Sequence, residues 1–371
     1  DRSIVKPVAP TKEPENADQN ARGGVSMAEN ITISRGTKVH AEAKSRWGAP
    51  KLGFIARLAM LLVGLSIPQL KVGVIDTGVD TKHPMLSSVV AKSVKASDNG
   101  ADDNGHGSWV AGMILNFAPW LKGNLTSYRA FIGGGATLDD VLMALTMSAN
   151  DGNVVISNSW GSDDGDPNSP DTQLVKKLAS EGHIMVFAAG NAGSRPNTIG
   201  SPAIGQVTRE SGAIGIVSVA ASDRNLKIAY FSSRGPGSEK TKGIPDYPHR
   251  PDMTAIGYNA AGPWPTNIGG ADRQGPNGPE KDLSGTSMAT PAVAGAIAIL
   301  LMLFGITKSG KEADEVIKAI MSTLRKSNQG RDAEGEGFLD LDAAYEAAKQ
   351  VLSPVAPSWL ARIVLRTFAR G

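Results

Sequence analysis

The stretch DLSGTSMATPAVAGAIAILLM, residues 282–302, sets a small polar cluster directly against a long apolar run. A helix that begins this way is expected to be buried, which makes Gly285-Thr286-Ser287 an odd place to start it. Two readings are open. The hydroxyls cap the helix, or one of them is held at the mouth of a cleft to do chemistry. The helix itself reads as MATPAVAGAIAILLMLFG (288–305), with Pro291 tolerated in its first turn. Around it, β-branched runs alternate with helical patterns. LKVGVID (70–76), NVVISNSW (153–160), HIMVFAAG (183–190) and GIVSVAA (215–221) read as strands, while TQLVKKLASEG (172–182), EADEVIKAIMSTL (312–324) and LDAAYEAAKQVL (341–352) read as helices. This alternation predicts an α/β fold: a doubly wound, mainly parallel β-sheet flanked by helices on both faces. Ligands of such sheets bind at the carboxyl ends of the strands. Functional residues should therefore follow strands or open helices.

Composition narrows the function classes. The chain has 371 residues, 41% hydrophobic and 20% charged, the balance of an ordinary globular protein. A net charge of +2 with no dense basic block argues against a nucleic-acid partner. The absence of cysteine removes disulfides, thiolate metal sites and a cysteine nucleophile. The apolar stretch LGFIARLAMLLVGLSI (52–67) is interrupted by Arg57 and falls short of the roughly 20 residues of a membrane span, so it reads as a buried helix. Residues 1–40 are polar and aperiodic, an N-terminal extension. Residues 41–352 read as one catalytic domain, and 353–371 as a basic amphipathic tail. In that tail Arg362, Arg366 and Arg370 lie four apart, and docking on the protein's own surface is preferred over membrane contact. The chain opens at Asp1 without a charged-then-apolar leader, and is read as a processed, secreted product.

Four positions meet the strand-end rule. Asp76 closes LKVGVID, where a carboxylate either orients an imidazole or caps the next turn. His106, between two glycines in DDNGHGSWVAG (102–112), is either structural or a general base that close backbone approach brings to its partners. Asn191 follows HIMVFAAG and is either a turn residue or an amide donor to a developing negative charge. Ser287 stands at a helix N-terminus, where backbone N–H groups favour negative charge.

In the order Asp, His, Asn, Ser these residues form a set. VGVIDTGVD (72–80), NGHGSWVAG (104–112), ISNSWG (156–161), AAGNAG (188–193) and SGTSMATPAVAG (284–295) each resemble a block of the subtilisin-like serine proteases. The resemblance covers roughly residues 70 to 350 and includes EGFLDLDAAYEAA (336–348). It implies a serine endopeptidase in which Ser287 is the nucleophile, His106 the general base, Asp76 its orienting acid and Asn191 part of an oxyanion hole. It implies protein or peptide substrates, bound by strand addition to Ser159, Trp160 and Gly161. The primary pocket would be walled by those residues and by Ala188, Ala189 and Gly190, with Gly200 at its base. Those segments carry no charge, which predicts an apolar, tolerant pocket.

No cofactor is required for the chemistry, but structural calcium is a family habit, and the chain's own pro-segment is a further implied partner. Met85 replaces the family's frequent calcium-binding Asp. Asp98, Asp102 and Asp103, or else Asp163, Asp164 and Asp166, are the alternative calcium ligands. Ser108-Trp109 stands where the family has Thr-His, and Ala292 where it has His. A non-catalytic scaffold on the same fold is the competing reading. An α/β-hydrolase is set aside because its acid and His follow the Ser, and because Gly-x-Ser-x-Gly is broken by Ala289.

Overall fold

The computed structural model describes residues 6–7, 69–121, 123–356, 361–362 and 365. The extension over 1–40, the helical pattern of 41–67 and most of the basic tail lie outside the described residues.

In chain order the strands are β1 Lys6–Pro7, β2 Val72–Asp76, β3 Val90–Ser93, β4 Leu125–Arg129, β5 Val155–Asn158, β6 Trp160–Gly161, β7 Ile184–Ala188, β8 Ile216–Ser222, β9 Met253–Ile256, β10 Ala260–Pro263, β11 Arg273–Gly275 and β12 Gly278–Leu283. The helices are α1 His106–Phe117, α2 Leu138–Asn150, α3 Pro170–Ser180, α4 Thr286–Leu303, α5 Lys311–Ser322, the single turn α6 Arg331–Glu334, and α7 Leu341–Ala348.

Seven strands form one sheet in the order β3-β4-β2-β5-β7-β8-β9. Every pairing in it is parallel. The chain winds outward from β2 to one edge, returns, and then winds the other way from β5. The switch point therefore lies between β2 and β5, where the rule for open sheets puts the ligand.

Successive residues of a strand point to opposite faces, and the two cores divide accordingly. Val72, Val74, Val155, Ile184, Val186, Val217 and Val219 pack with α1, α4, α5 and α7 on one face. Ile75, Ile156, Met185, Phe187 and Ile216 pack with α2 and α3 on the other. The central strands β7 and β8 are apolar over most of their length because both of their faces are covered.

Helix α4 is buried along its whole length, as its sequence requires, and crosses the sheet beneath β5, β7, β8 and β9. It begins at Thr286, ahead of the expected start, so Pro291 lies past the first turn. A proline there cannot donate to the carbonyl four residues back, that of Ser287. The Ser159 hydroxyl donates to that carbonyl instead, at 2.9 Å. The helix thus keeps its proline because Ser159, between β5 and β6, supplies the missing donor.

A small antiparallel sheet, β10-β12-β11, extends from the chain before α4. The sequence reading did not anticipate it. Its polar strands, GPEKDL and RQG, carry no apolar run. Arg273 bridges Glu280 and Asp282 across the ladder at 2.9 and 2.7 Å.

Candidate active site

Asp76 is the last residue of β2 and His106 the first of α1; both are buried. The Asp76 Oδ1 accepts from the Thr77 amide at 2.8 Å and meets His106 Nδ1 at 2.7 Å. A carboxylate only accepts, so Nδ1 carries the proton and the Nε2 lone pair is left bare. That second nitrogen is buried and has no hydrogen-bond partner among the described protein atoms. Burial opposes the imidazolium. The Asp76 charge and hydrogen bond, with the charge of Asp102, outweigh it and raise the His106 pKa above its ordinary value.

The turn holding this histidine is tied at several points. Thr77 Oγ1 accepts from the Gly107 amide at 2.8 Å and donates to Asp102 Oδ1 at 2.9 Å. Asp102 also accepts from the amides of Asn104, Gly105 and Ser108. Gly107 lies directly on the backbone of Thr77 and Gly78, and a Cβ there would overlap the Gly78 carbonyl. This close approach explains the glycine following His106.

The second group gathers at the opening of α4. Asn191 Oδ1 accepts from both the amide and the hydroxyl of Thr286, each at 2.9 Å. With its oxygen so engaged, the amide turns its nitrogen toward Gly285. A Cβ built on Gly285 would lie 3.2 Å from Asn191 Nδ2 and 3.7 Å from the Ser287 amide nitrogen. One small region of space is therefore bordered by two N–H donors. The Ser287 hydroxyl donates to the Ser159 carbonyl at 3.0 Å, reciprocating the bond from Ser159 to the Ser287 carbonyl. Asp76 and His106 thus meet directly, as do Asn191, Ser159 and the Thr286–Ser287 turn. Helix α1 packs on α4, but the Ser287 hydroxyl makes no hydrogen bond to His106 Nε2 and donates to Ser159 instead.

Of the expected pocket residues, Ser159, Ala188, Ala189, Gly190 and Gly200 are buried and adjoin one another. Gly200 donates to the Ala189 carbonyl at 2.9 Å, and Ser162 and Ser201 exchange backbone bonds at 2.8 and 2.9 Å. Trp160 turns its side chain away from this edge. Its ring is fully buried, edge-on to Phe187 at 5.2 Å and tilted against Phe131 at 6.1 Å. Only its backbone faces the open edge, where Lys6 pairs with Gly161 and Pro7 with Trp160 in antiparallel register.

The proposed calcium ligands do not fit a cation. Arg129 reaches into the loop of Asp98 and Asp103, with ion pairs at 3.3 and 2.6 Å, and also bonds the Ala101 carbonyl. Asp102 is saturated by the donors named above. In the other loop Lys240 pairs with Asp166 at 2.7 Å and with Asp164 at 3.9 Å. Among the described residues no group of three His, Asp or Glu side chains is arranged to hold a metal. A basic side chain already supplies the positive charge in each loop.

Sequence reasoning missed the clasp made by Trp109. Its indole N–H donates to the Lys281 carbonyl on β12 at 3.0 Å, and its ring fills the space a side chain on Gly262 would need. Helix α1 is thereby pinned to the strand that runs into Ser287. The signal available was the Trp standing where related sequences carry His.

A doubly wound parallel sheet with an Asp–His couple and a helix-opening serine on one carboxyl edge is the build of a subtilisin-like serine peptidase. The chain belongs to the subtilase family, whose family model matches residues 68–338. It is 30% identical to subtilisin DY of Bacillus licheniformis over 291 residues, 74% of this chain and 90% of the relative. To subtilisin Savinase of Lederbergia lenta it is 30% identical over 290 residues, 76% of this chain and 92% of the relative. The membrane-bound transcription factor site-1 protease of Mus musculus is 29% identical over 311 residues, 80% of this chain but only 26% of that protein. Among solved structures, the protease domain of PatA, a serine-to-alanine mutant, superposes with a TM-score of 0.59 at 21% identity. It covers 77% of this chain and 98% of that one, which bears on the fold alone.

Proposed function

We propose that this chain is a serine endopeptidase that works through Asp76, His106 and Ser287 and an acyl-enzyme. His106 Nε2 takes the proton from the Ser287 hydroxyl as its oxygen attacks the scissile carbonyl. The carbonyl oxygen, now negative, moves into the region bordered by Asn191 Nδ2 and the Ser287 amide. His106 then gives the proton to the leaving amine, which departs as the C–N bond breaks. A water, deprotonated by the same nitrogen, releases the acyl group and restores the serine. Asp76 holds the imidazole in the Nδ1–H tautomer throughout and stabilises its charged form. The observation that carries this reading is the buried 2.7 Å Asp76–His106 contact, which leaves Nε2 bare.

The substrate's acyl half would add as a strand to Trp160–Gly161. Antiparallel pairing of the Lys6–Pro7 backbone at that edge supports this mode of binding. The absence of charge from Ala188, Ala189, Gly190 and Gly200 supports an apolar, tolerant first subsite. A fluorophosphonate probe tests the proposal. It should label the chain covalently at Ser287, and neither Ser287→Ala nor His106→Ala should take the label at a comparable rate. A folded chain that stays unlabelled and cleaves no peptide would leave the scaffold reading in possession.

A further inference from the structure

Asp102 takes no part in the proton transfers described above, yet its carboxylate is fully buried behind the histidine turn. Its Oδ1 accepts from the Thr77 hydroxyl and the Gly105 amide, each at 2.9 Å, and from the Asn104 amide at 3.0 Å. Its Oδ2 accepts from the Ser108 amide at 2.8 Å. All four partners donate, because the Thr77 oxygen already accepts from Gly107 and offers Asp102 its proton. A carboxyl group so surrounded acts as an acceptor only, which is the ionised form. Among the described residues no cation pairs with it: Arg129 turns to Asp98 and Asp103 on either side. Burying an unpaired charge is costly. Accepting amide bonds within a turn is a task that a neutral Asn or Ser also performs.

The placement of His106 gives that charge a use. His106 is the first residue of α1, a helix of 12 residues whose N-cap, Gly105, offers no side chain and whose first turn holds no acidic residue. The N-terminus of a helix carries a partial positive charge. Left bare, that end would resist the imidazolium that forms when His106 takes the serine's proton. Asp102 bonds the amides of Gly105 and Ser108, the cap and the third residue of the helix, so its negative charge sits on the end of the dipole.

The other groups around the imidazole are few. Asp76 faces it from the end of β2 and is tied to Asp102 through Thr77, whose amide donates to one carboxylate and whose hydroxyl donates to the other. From the small sheet, the Trp264 ring lies against Gly105, with Lys281 Nζ 4.4 Å from the ring's centre. Helix α4 opens without a charged residue. Burial opposes the charged imidazole, and the charges of Asp76 and Asp102 both favour it.

We infer that Asp102 is a positioning residue acting through His106: its charge cancels the dipole of α1 and steadies the imidazolium while the proton is in transit. This rests on the peptidase reading and adds a second carboxylate to it.

The test compares Asp102→Asn with Asp103→Asn, whose carboxylate stands half in solvent and pairs with Arg129 at 2.6 Å. Each variant is read by the pH profile of peptide p-nitroanilide hydrolysis and by NMR titration of the His106 ring, which needs no activity. Asp102→Asn should move the acid limb and the ring titration to lower pH and reduce kcat with little change in KM. The Nδ1 proton bonded to Asp76 should stay visible. Asp103→Asn should leave the limb with the parent. A merely structural Asp102 would lower the melting temperature and leave the limb in place, which overturns the inference. A limb that moves equally in both variants, or loss of the Nδ1 proton signal in Asp102→Asn, overturns it too. Should Asp102→Asn not fold, Asp102→Ser, whose hydroxyl can still accept from the following amides, is read in its place. If neither folds, the carboxylate is structural and the inference falls. A folded parent that cleaves no anilide sinks the peptidase reading instead, and the ring titration still decides whether Asp102 acts on His106.

Discussion

Gly285→Ala is a sharp probe of the proposed oxyanion site. The backbone at Gly285 is extended, with φ 162° and ψ 159°, a conformation open to any residue. The new methyl would meet Asn191 Nδ2 at 3.2 Å and the Met288 sulfur at 3.5 Å, contacts that small shifts relieve. Folding should therefore survive. The methyl, however, would occupy the region where a negative oxygen must come within about 2.7–3.1 Å of its donors. The oxygen and the methyl cannot share it. Losing one such donor costs about 2.7–4 kcal/mol of transition-state stabilisation, a scale borrowed from a bacterial subtilisin of the same family. Turnover should thus fall by a factor on the order of 10² to 10³, with little change in KM, since the proposed binding mode holds the ground-state peptide at Trp160–Gly161. The assay is steady-state hydrolysis of a peptide p-nitroanilide, with a thermal melt to establish folding. A well-folded Gly285→Ala protein whose kcat stays within about three-fold of the parent would refute the assignment of those two N–H groups. A KM rise with unchanged kcat would refute it equally.

Three further outcomes follow from the same geometry. His106 must be neutral to act as a base, so kcat/KM should fall on the acid side through a pKa above the ordinary histidine value of about 6.5; an acid limb below that value contradicts the Asp76 pairing. The raised pKa also stabilises the fold, fully below the unfolded histidine's value and less as pH rises through the folded one. The melting-temperature gap between parent and Asp76→Asn should therefore be wider at low pH than at high pH, and calorimetry at the two extremes decides. Trp109→Phe keeps most of the ring but removes the indole donor to the Lys281 carbonyl, which should cost about 0.5–1.5 kcal/mol in urea unfolding; a loss below about 0.3 kcal/mol would mean that the clasp is not held by that bond.

The core strands were legible because both of their faces are covered, which leaves apolar runs such as IMVFA and IVSVAA that little else explains. The candidate site residues stood out in the sequence for a related reason. Asp76, His106, Asn191 and Ser287 all sit where a strand stops or a helix starts, and glycine is required nearby for close approach. What the sequence hid are contacts between segments far apart in the chain. Alternation along β6 sends the Trp160 ring into the core and leaves only its backbone at the cleft, a distinction that residue type cannot express. Asp98 and Asp103 look like metal ligands until the fold brings Arg129 between them. Pro291 seems confined to a first turn until Ser159, between β5 and β6, supplies the donor it lacks. The sheet β10-β12-β11 escaped notice because charge pairs across its strands do the work that an apolar stripe does elsewhere.

The switch point between β2 and β5 divides the chain into two halves that meet along that strand pairing and where α1 packs on α4. The imidazole and its acid belong to the earlier half, the serine and the amide side chain to the later one. Neither half alone owns both a base and an alcohol for it to activate. A nascent or partly melted molecule is thus inert until that seam closes. An enzyme of this kind gains its cutting power only when its own backbone is no longer slack enough to be cut.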